Sequence, residues 1–327
     1  MHRMNVASPL VRLAADYDCS HLMAQTPGKK GLWDGIRFTL DDVVDCDYFV
    51  MLNNRRWESV RVRCPREHVW CLIQEPYVPG IFDWLIENNK QFARVFTHYI
   101  PVPERRYVRS QPAISWQIDL SYDDLVAMSI PRKRKAISCV ASDKVWLPGQ
   151  RKRNALREFL MQVAPDKVDV FGRGIRFIES KWTGIAPYRY SIAVENSVSR
   201  DYWTEKISEC FLSWTIPLYD GCPNIEEYFP ADSFIRIDAA DQRATLARID
   251  QLLQHDEWER RLPALQEARR RVLEMYHLFP VLVQAIRAYG SNSSEPTLTT
   301  IPGYTGMSIR NRMRYYGYML GQKVVNR

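Results

Sequence analysis

The stretch YRYSIAVENSVSRDYWTEKISECF at 188–211 concentrates the residues best suited to chemistry. A strand-like apolar run breaks at its exit into Glu195-Asn196-Ser197, and a helix opening near Thr204 carries Glu205 and Lys206 in its first turn. The first N–H groups of a helix lack intrahelical partners and form its positive dipole end. A cation there is disfavoured by about 0.3–1 kcal/mol. A bound anion reverses that sign, so both features can serve one anionic ligand. A solvated Glu205–Lys206 pair is the plainer reading of the same residues, since Glu205 offsets part of the penalty. Glu195, at a strand end, reads as a carboxylate that accepts backbone N–H groups from the following turn.

Such groups need a sheet to position them, and the sequence offers two series of strands. DYFVML (47–52), HVWCLI (68–73) and ARVFTHY (93–99) are β-rich runs, with FDWLIENNKQFA (82–93) reading as an amphipathic helix between the last two. Residues 100–131 read as a long connection. The second series runs through RKAISCVAS (134–142), a helix at 151–163, KVDVFG (167–172), the strand at 188–196, TIPLYDG (215–221) and SFIRID (233–238). In the helix after Thr204, Ile207, Cys210, Phe211 and Trp214 fall on one stripe, as Leu246, Ile249 and Leu253 do in a helix at 241–254. Strands alternating with helices predict parallel sheets, and two such units predict a ligand-binding cleft between them. The helical region 257–289 is expected to pack across or back toward the first unit.

VENSVSRDYWTEK resembles the donor-binding signature of the α-1,3/1,4-fucosyltransferase family, family 10 of the inverting glycosyltransferases. The resemblance continues in order through VASDK (140–144), RNALREFL (153–160), VDVFGRG (168–174), TIPLYDG and FPADSFIRID (229–238), covering about 134–240. It implies an α/β fold of GT-B architecture, two Rossmann-like domains facing a cleft. The expected boundaries are 1–130 for an acceptor-binding domain, 131–275 for a GDP-sugar domain and 276–327 for a helical segment with a basic tail. By resemblance Arg153 and Lys206 hold the diphosphate of GDP-L-fucose, with Arg151 an alternative to Arg153. Ser142 and Asn196 are further nucleotide contacts, Tyr202 lines the donor pocket, and Glu205 lies near the ribose or fucose ring. Fixed cations would stabilise the departing diphosphate, so no metal or other cofactor is expected.

Inverting transfer needs a base within reach of the acceptor hydroxyl. The family's base is a glutamate just after an apolar strand of the N-terminal domain, and Glu75, following WCLI and preceding Pro76, fits that place. His98 is a competitor better read as structural. Asp45-Cys46-Asp47 mimics a DxD metal signature but reads as a strand-entry turn. The resemblance implies transfer of L-fucose to a GlcNAc- or glucose-type hydroxyl of a glycan, α-1,3 or similar. Alternatives are another GDP-linked sugar or a catalytically silent glycan-binding protein. One departure, Asp238 followed by Ala239-Ala240 where the family commonly has an acidic-aromatic pair, bears on the donor sugar.

Composition sets the outer limits. The chain has 327 residues, 46% hydrophobic and 25% charged, which suits two globular domains. No apolar run approaches a membrane span, and Ser8, Pro9 and Arg12 interrupt any signal-type core, so a cytoplasmic location is expected. The seven cysteines form no CxxC pair and read as reduced. A net charge of +7 favours anionic partners. Nucleic acid is not expected, and the run Arg132-Lys133-Arg134-Lys135 reads as solvated linker charge. In the tail, Ile309, Met313, Tyr316 and Leu320 share a helical face flanked by arginines. That face suits either peripheral contact with an anionic membrane bearing a glycolipid acceptor, or packing onto the first domain.

Overall fold

The computed structural model describes residues 8–54, 57–172, 174–290, 294–304, 306, 308–310, 312–314 and 316–317. The chain divides into two compact units, Met1–Pro112 with Phe279–Arg327, and Ala113–Leu278. Each is a parallel-stranded α/β unit, in keeping with the expected fold class.

The first unit contains strands β1 (Leu10–Ala15), β2 (Leu32–Trp33), β3 (Ile36–Thr39), β4 (Tyr48–Leu52), β5 (Val60–Cys64), β6 (Val69–Leu72), β7 (Arg94–Thr97) and β8 (Tyr107–Arg109). Its main sheet runs β2-β3-β1-β4-β6-β7-β8, parallel except where β2 meets β3. β4 and β6 are buried at every position, as expected of parallel strands covered on both faces. β5 alternates buried and exposed residues, so only one of its faces meets the core.

The long helix expected over 82–93 is a single turn, α1 (Trp84–Glu87). Side-chain amides take the carbonyls that a longer helix would use: Asn54 Nδ2 donates to the Trp84 and Leu85 oxygens, and Asn89 Nδ2 to Leu85. The expected connection 100–131 holds β8 and a capped helix, α2 (Tyr122–Ala127), in which Ser121 and Asp124 form a capping box.

The second unit adds β9 (Lys135–Val140), α3 (Pro148–Val163), β10 (Asp169–Phe171), α4 (Lys181–Ile185), β11 (Tyr188–Val194), α5 (Glu205–Leu212), β12 (Ile216–Asp220), β13 (Ile235–Arg236), α6 (Gln242–Gln254) and α7 (Trp258–Arg271). Its sheet is ordered β10-β9-β11-β12-β13 and all its pairs are parallel. Ile207, Cys210, Phe211 and Trp214 enter one buried cluster with the sheet. Trp214 does so from beyond the end of α5, at a left-handed φ of 57°.

Two expectations about organisation change. The boundary expected at 130/131 falls at 112/113, because Trp116, Ile118 and Leu125 belong to the second unit's core. The described residues within 279–304 are not a segment apart. α8 (Leu278–Tyr289) meets the first unit through Phe279, whose ring lies edge-on to Phe38 at 4.9 Å, and β14 (Thr297–Ile301) pairs antiparallel with β5.

The basic run is not simply solvated either. Lys133 Nζ donates to Ala186 O and Ser213 O, both at 2.8 Å, and to Thr215 Oγ1 at 2.9 Å. Burial pulls its pKa down to about 7. Lys135 pairs with Asp169 at 2.6 Å.

In the tail, Ile309, Met313 and Tyr316 are exposed, while Arg314 pairs with Asp83 at 3.5 Å and Ser308 N donates to Glu87 at 3.4 Å. Leu320 lies outside the described residues. No helix among the described residues is long and apolar enough to cross a membrane.

Candidate functional site

In the second unit the chain leaves β9 in one direction to form β10 and then returns to form β11 on β9's other side. The carboxyl ends of β9 and β11 therefore flank the point where strand order reverses, the usual ligand crevice of an open parallel sheet. Ser142 follows β9, and Glu195-Asn196 follows β11.

Arg153 of α3 joins the two exits. Its Nη2 donates to Ser142 Oγ at 3.1 Å and Ser142 O at 3.3 Å, and its Nη1 to Asn196 Oδ1 at 3.4 Å. The side chain is only 6% exposed, its Nε has no hydrogen-bond partner, and burial lowers its pKa. A buried guanidinium with an unused donor gains from an added anion. Arg151, the sequence alternative, donates to the Val145 and Trp146 carbonyls, so it braces the preceding loop.

Gly149 sets this geometry. Its N–H donates to Asn196 O at 3.1 Å, and a Cβ there would overlap the Glu195 carbonyl oxygen. Only glycine lets the first turn of α3 approach the Glu-Asn-Ser turn so closely. The signal available in the sequence was Pro148-Gly149 at a helix start, and its importance depends on a partner 47 residues away.

Glu195 is fully buried. Oε1 accepts from Thr204 N at 2.8 Å and Oε2 from Thr204 Oγ1 at 2.7 Å. That is the backbone-holding role expected from sequence. Thr204 is also the N-cap of α5 and accepts from Lys206 N. Lys206 makes the pair with Glu205 that the plainer reading gives, and adds a second carboxylate. Its Nζ lies 3.5 Å from Glu195 Oε2 and donates to Thr204 Oγ1 at 3.0 Å and Glu205 Oε1 at 3.1 Å. Two carboxylates therefore already offset the unfavourable dipole, one of them invisible to a local reading. Burial raises the Glu195 pKa against the attraction of Lys206. Burial acts the same way on Glu205, but Lys206 and Lys181 outweigh it and hold that carboxyl down to about 2.

Tyr202 was expected to line the donor pocket; it is 1% exposed, buried in the turn that its N–H closes onto Ser199 O at 3.2 Å. Asp201, at a left-handed φ of 63°, pins the same turn through Asn224 and the Tyr228 hydroxyl. Beside the crevice lies a small cavity of about 40 Å³ walled by Arg153, Lys206, Lys181, Glu209 and Ser191. Lys181 and Glu209 carried no sequence signal.

In the first unit Glu75 is half-buried on the loop after β6. Its neighbours hold the loop: Gln74 N donates to Asn53 Oδ1 at 2.9 Å, Tyr17 OH to Gln74 Oε1 at 2.6 Å, and Tyr77 N to His98 Nε2 at 3.3 Å. His98 thus has the structural part expected of it. Burial, Cys19, Asp16 and Glu75 all raise the Tyr17 phenol, which places the Glu75 charge near that hydroxyl. Asp47 Oδ2 accepts from Leu10 N at 2.7 Å and Asp45 pairs with Arg63, the strand-entry turn read from sequence. All seven cysteines are free thiols.

The model of glycosyltransferase family 10 (fucosyltransferase) C-term matches residues 130–261. The 4-galactosyl-N-acetylglucosaminide 3-alpha-L-fucosyltransferase 9 of Homo sapiens is 27% identical over 124 residues, 36% of this chain and 33% of that protein. The 4-galactosyl-N-acetylglucosaminide 3-alpha-L-fucosyltransferase FUT5 of Hylobates lar is 30% identical over 134 residues, 39% of this chain and 34% of that protein. The chain spans about a third of the length of these curated relatives. A crystal structure of an alpha1,3-fucosyltransferase with GDP is similar in fold, with a TM-score of 0.51 and 18% identity over 85% of this chain and 95% of that one.

Proposed function

We propose, from the match of residues 130–261 to glycosyltransferase family 10, that the chain transfers L-fucose from GDP-L-fucose to a hydroxyl of a glycan acceptor. The observation that carries the reading is Arg153, buried and bonded to both Ser142 and Asn196 at the strand-order reversal of the matched segment. In this reading Arg153 and Lys206 hold the diphosphate, and their charge stabilises it as the glycosidic bond breaks. They take the place of a divalent ion, so transfer proceeds without metal. Ser142 and Asn196 orient Arg153 and contact the nucleotide. Glu205 keeps Lys206 in place and, ionised, favours an oxocarbenium-like fucosyl centre. Tyr202 supports the donor turn from within.

Glu75 is the base. It takes the proton from the acceptor hydroxyl as that oxygen attacks the anomeric carbon from the side opposite GDP, and configuration inverts. The acceptor is a GlcNAc- or glucose-type residue of an oligosaccharide, polysaccharide or glycolipid, linked α-1,3 or similarly. The names of the relatives, which are N-acetylglucosaminide 3-alpha-L-fucosyltransferases, support that choice. The reading also places the protein in the cytoplasm, with the exposed Ile309, Met313 and Tyr316 beside Arg310 and Arg312 resting on an anionic membrane surface.

GDP release measured with GDP-fucose against GDP-mannose, each with a GlcNAc-terminated acceptor and excess EDTA, tests the donor and the metal together. Turnover of GDP-fucose alone, surviving the chelator, is expected. Turnover of GDP-mannose alone would move the protein to another sugar. Glu75→Gln should retain GDP binding and lose roughly 10²–10⁴ in kcat, the usual contribution of a general base. Unchanged kcat would remove Glu75 from the mechanism.

A further inference from the structure

Lys181 and Glu209 form a pair that the proposed mechanism leaves unused. Lys181 Nζ donates to Glu209 Oε2 at 3.1 Å and Oε1 at 3.3 Å, and to Gln117 Oε1 at 3.3 Å. Gln117 N donates to Glu209 Oε1 at 2.7 Å. Both charged side chains wall the cavity that Arg153 and Lys206 also line.

Exposure sorts the charges in this cluster. The Lys181 side chain is 31% exposed over a Glu209 that is 2% exposed, and Lys206 is 19% exposed over a Glu195 that is 0% exposed. In both pairs the carboxylate lies beneath and the ammonium faces outward. Glu205, 15% exposed beside Lys206, shares the outer level with the two cations, while Glu195 and Glu209 lie beneath. The buried carboxylates fix where those cations stand and lower the cost of burying them. Arg153 lines the same cavity and has a buried Nε without a hydrogen-bond partner, an independent sign that this cluster awaits an acceptor of hydrogen bonds.

We infer that Lys181 is a third cation for the diphosphate of the donor, held in position by Glu209; the inference rests on the reading of Arg153 and Lys206 as donor-binding residues. A nucleoside diphosphate carries several negative charges over two phosphates. Two cations bracket one part of it, and a third on the neighbouring helix start extends the bracket. Glu209 is a positioning residue: its carboxylate accepts from Lys181 Nζ and from the Gln117 N–H.

Calorimetric titration of the full chain with GDP and, separately, with guanosine tests this. Lys181→Met is expected to weaken GDP about tenfold and leave guanosine unchanged, and Lys181→Arg to restore GDP. An unchanged GDP affinity, or equal losses for GDP and guanosine, overturns the inference. If Lys181→Met does not fold, the double variant Lys181→Met/Glu209→Met removes both charges together, a change buried ion pairs often tolerate, and carries the same readout. Arg153→Met and Lys206→Met separate the two levels. Loss of GDP binding in these alone sinks only the role of Lys181. GDP binding intact in all of them sinks the donor site itself.

Discussion

Glu195 and Thr204, nine residues apart, are joined twice: the buried carboxylate accepts both the backbone N–H and the hydroxyl of the threonine, at 2.8 and 2.7 Å. This link holds the exit of β11 against the start of α5, where Lys206 Nζ lies 3.5 Å from the same carboxylate. Replacing Thr204 with valine removes a helix cap and leaves one carboxylate oxygen with Lys206 as its remaining charged neighbour. A loss of about 1–3 kcal/mol is expected. Urea denaturation checks it, and a loss below 0.5 kcal/mol (a value roughly that of an ordinary surface change) would contradict the link.

Gly149 should be equally intolerant. An alanine there would press its Cβ into the Glu195 carbonyl oxygen. Overpacking of this kind typically costs about 1–3 kcal/mol. Because the displaced turn is the one that carries Asn196, GDP affinity should fall along with the melting temperature. A variant that melts normally and binds GDP normally would show that α3 has room to move.

Arg153→Lys preserves charge and loses geometry. The guanidinium spans Ser142 and Asn196 with separate nitrogens, and an ammonium is a single point that cannot bond both in that way. GDP affinity should drop tenfold or more, with little change in stability. Equal affinity would mean that charge alone matters at this position.

Lys133→Met tests whether that lysine ties the ends of α4 and α5 together. The ammonium has three acceptors, two of them carbonyls, near the ends of α4 and α5. Methionine fills the volume and removes the lysine donor, leaving Ser213 O the Thr215 hydroxyl at 3.4 Å. A loss of about 1–3 kcal/mol is expected from these part-buried groups. Arg132→Met, at an exposed neighbouring position, should change stability little.

Acid should begin to destabilise the protein before its carboxylates titrate. His277 is fully buried, and burial lowers its pKa to about 3 from 6.5. Between those values the unfolded chain holds a proton that the folded chain does not, so stability falls as pH drops from 6.5 toward 3. Glu205 adds a second loss below its ordinary pKa of 4.5, since its folded value is about 2. His277→Met should flatten the first part of the curve, between pH 6.5 and 4.5, and leave the second. Chemical denaturation at pH 7, 6, 5 and 4 reads both.

By itself the sequence determined the strand exits of the second unit, the start of α5 and the order of the motifs along 134–240. These are local: alternation, apolar stripes and a capping threonine act within a few residues. It put Arg153 on a readable helix and Ser142 and Asn196 just past readable strands, and the structure joins the three by hydrogen bonds. The tertiary structure alone decided what those groups touch. Glu195 beneath Lys206, Lys133 against Ser213, Lys181 on Glu209 and β14 beside β5 all join residues separated along the chain. The physical reason is burial. A charge taken out of water must find a partner wherever the packed chain brings one, and spacing along the sequence does not record that place.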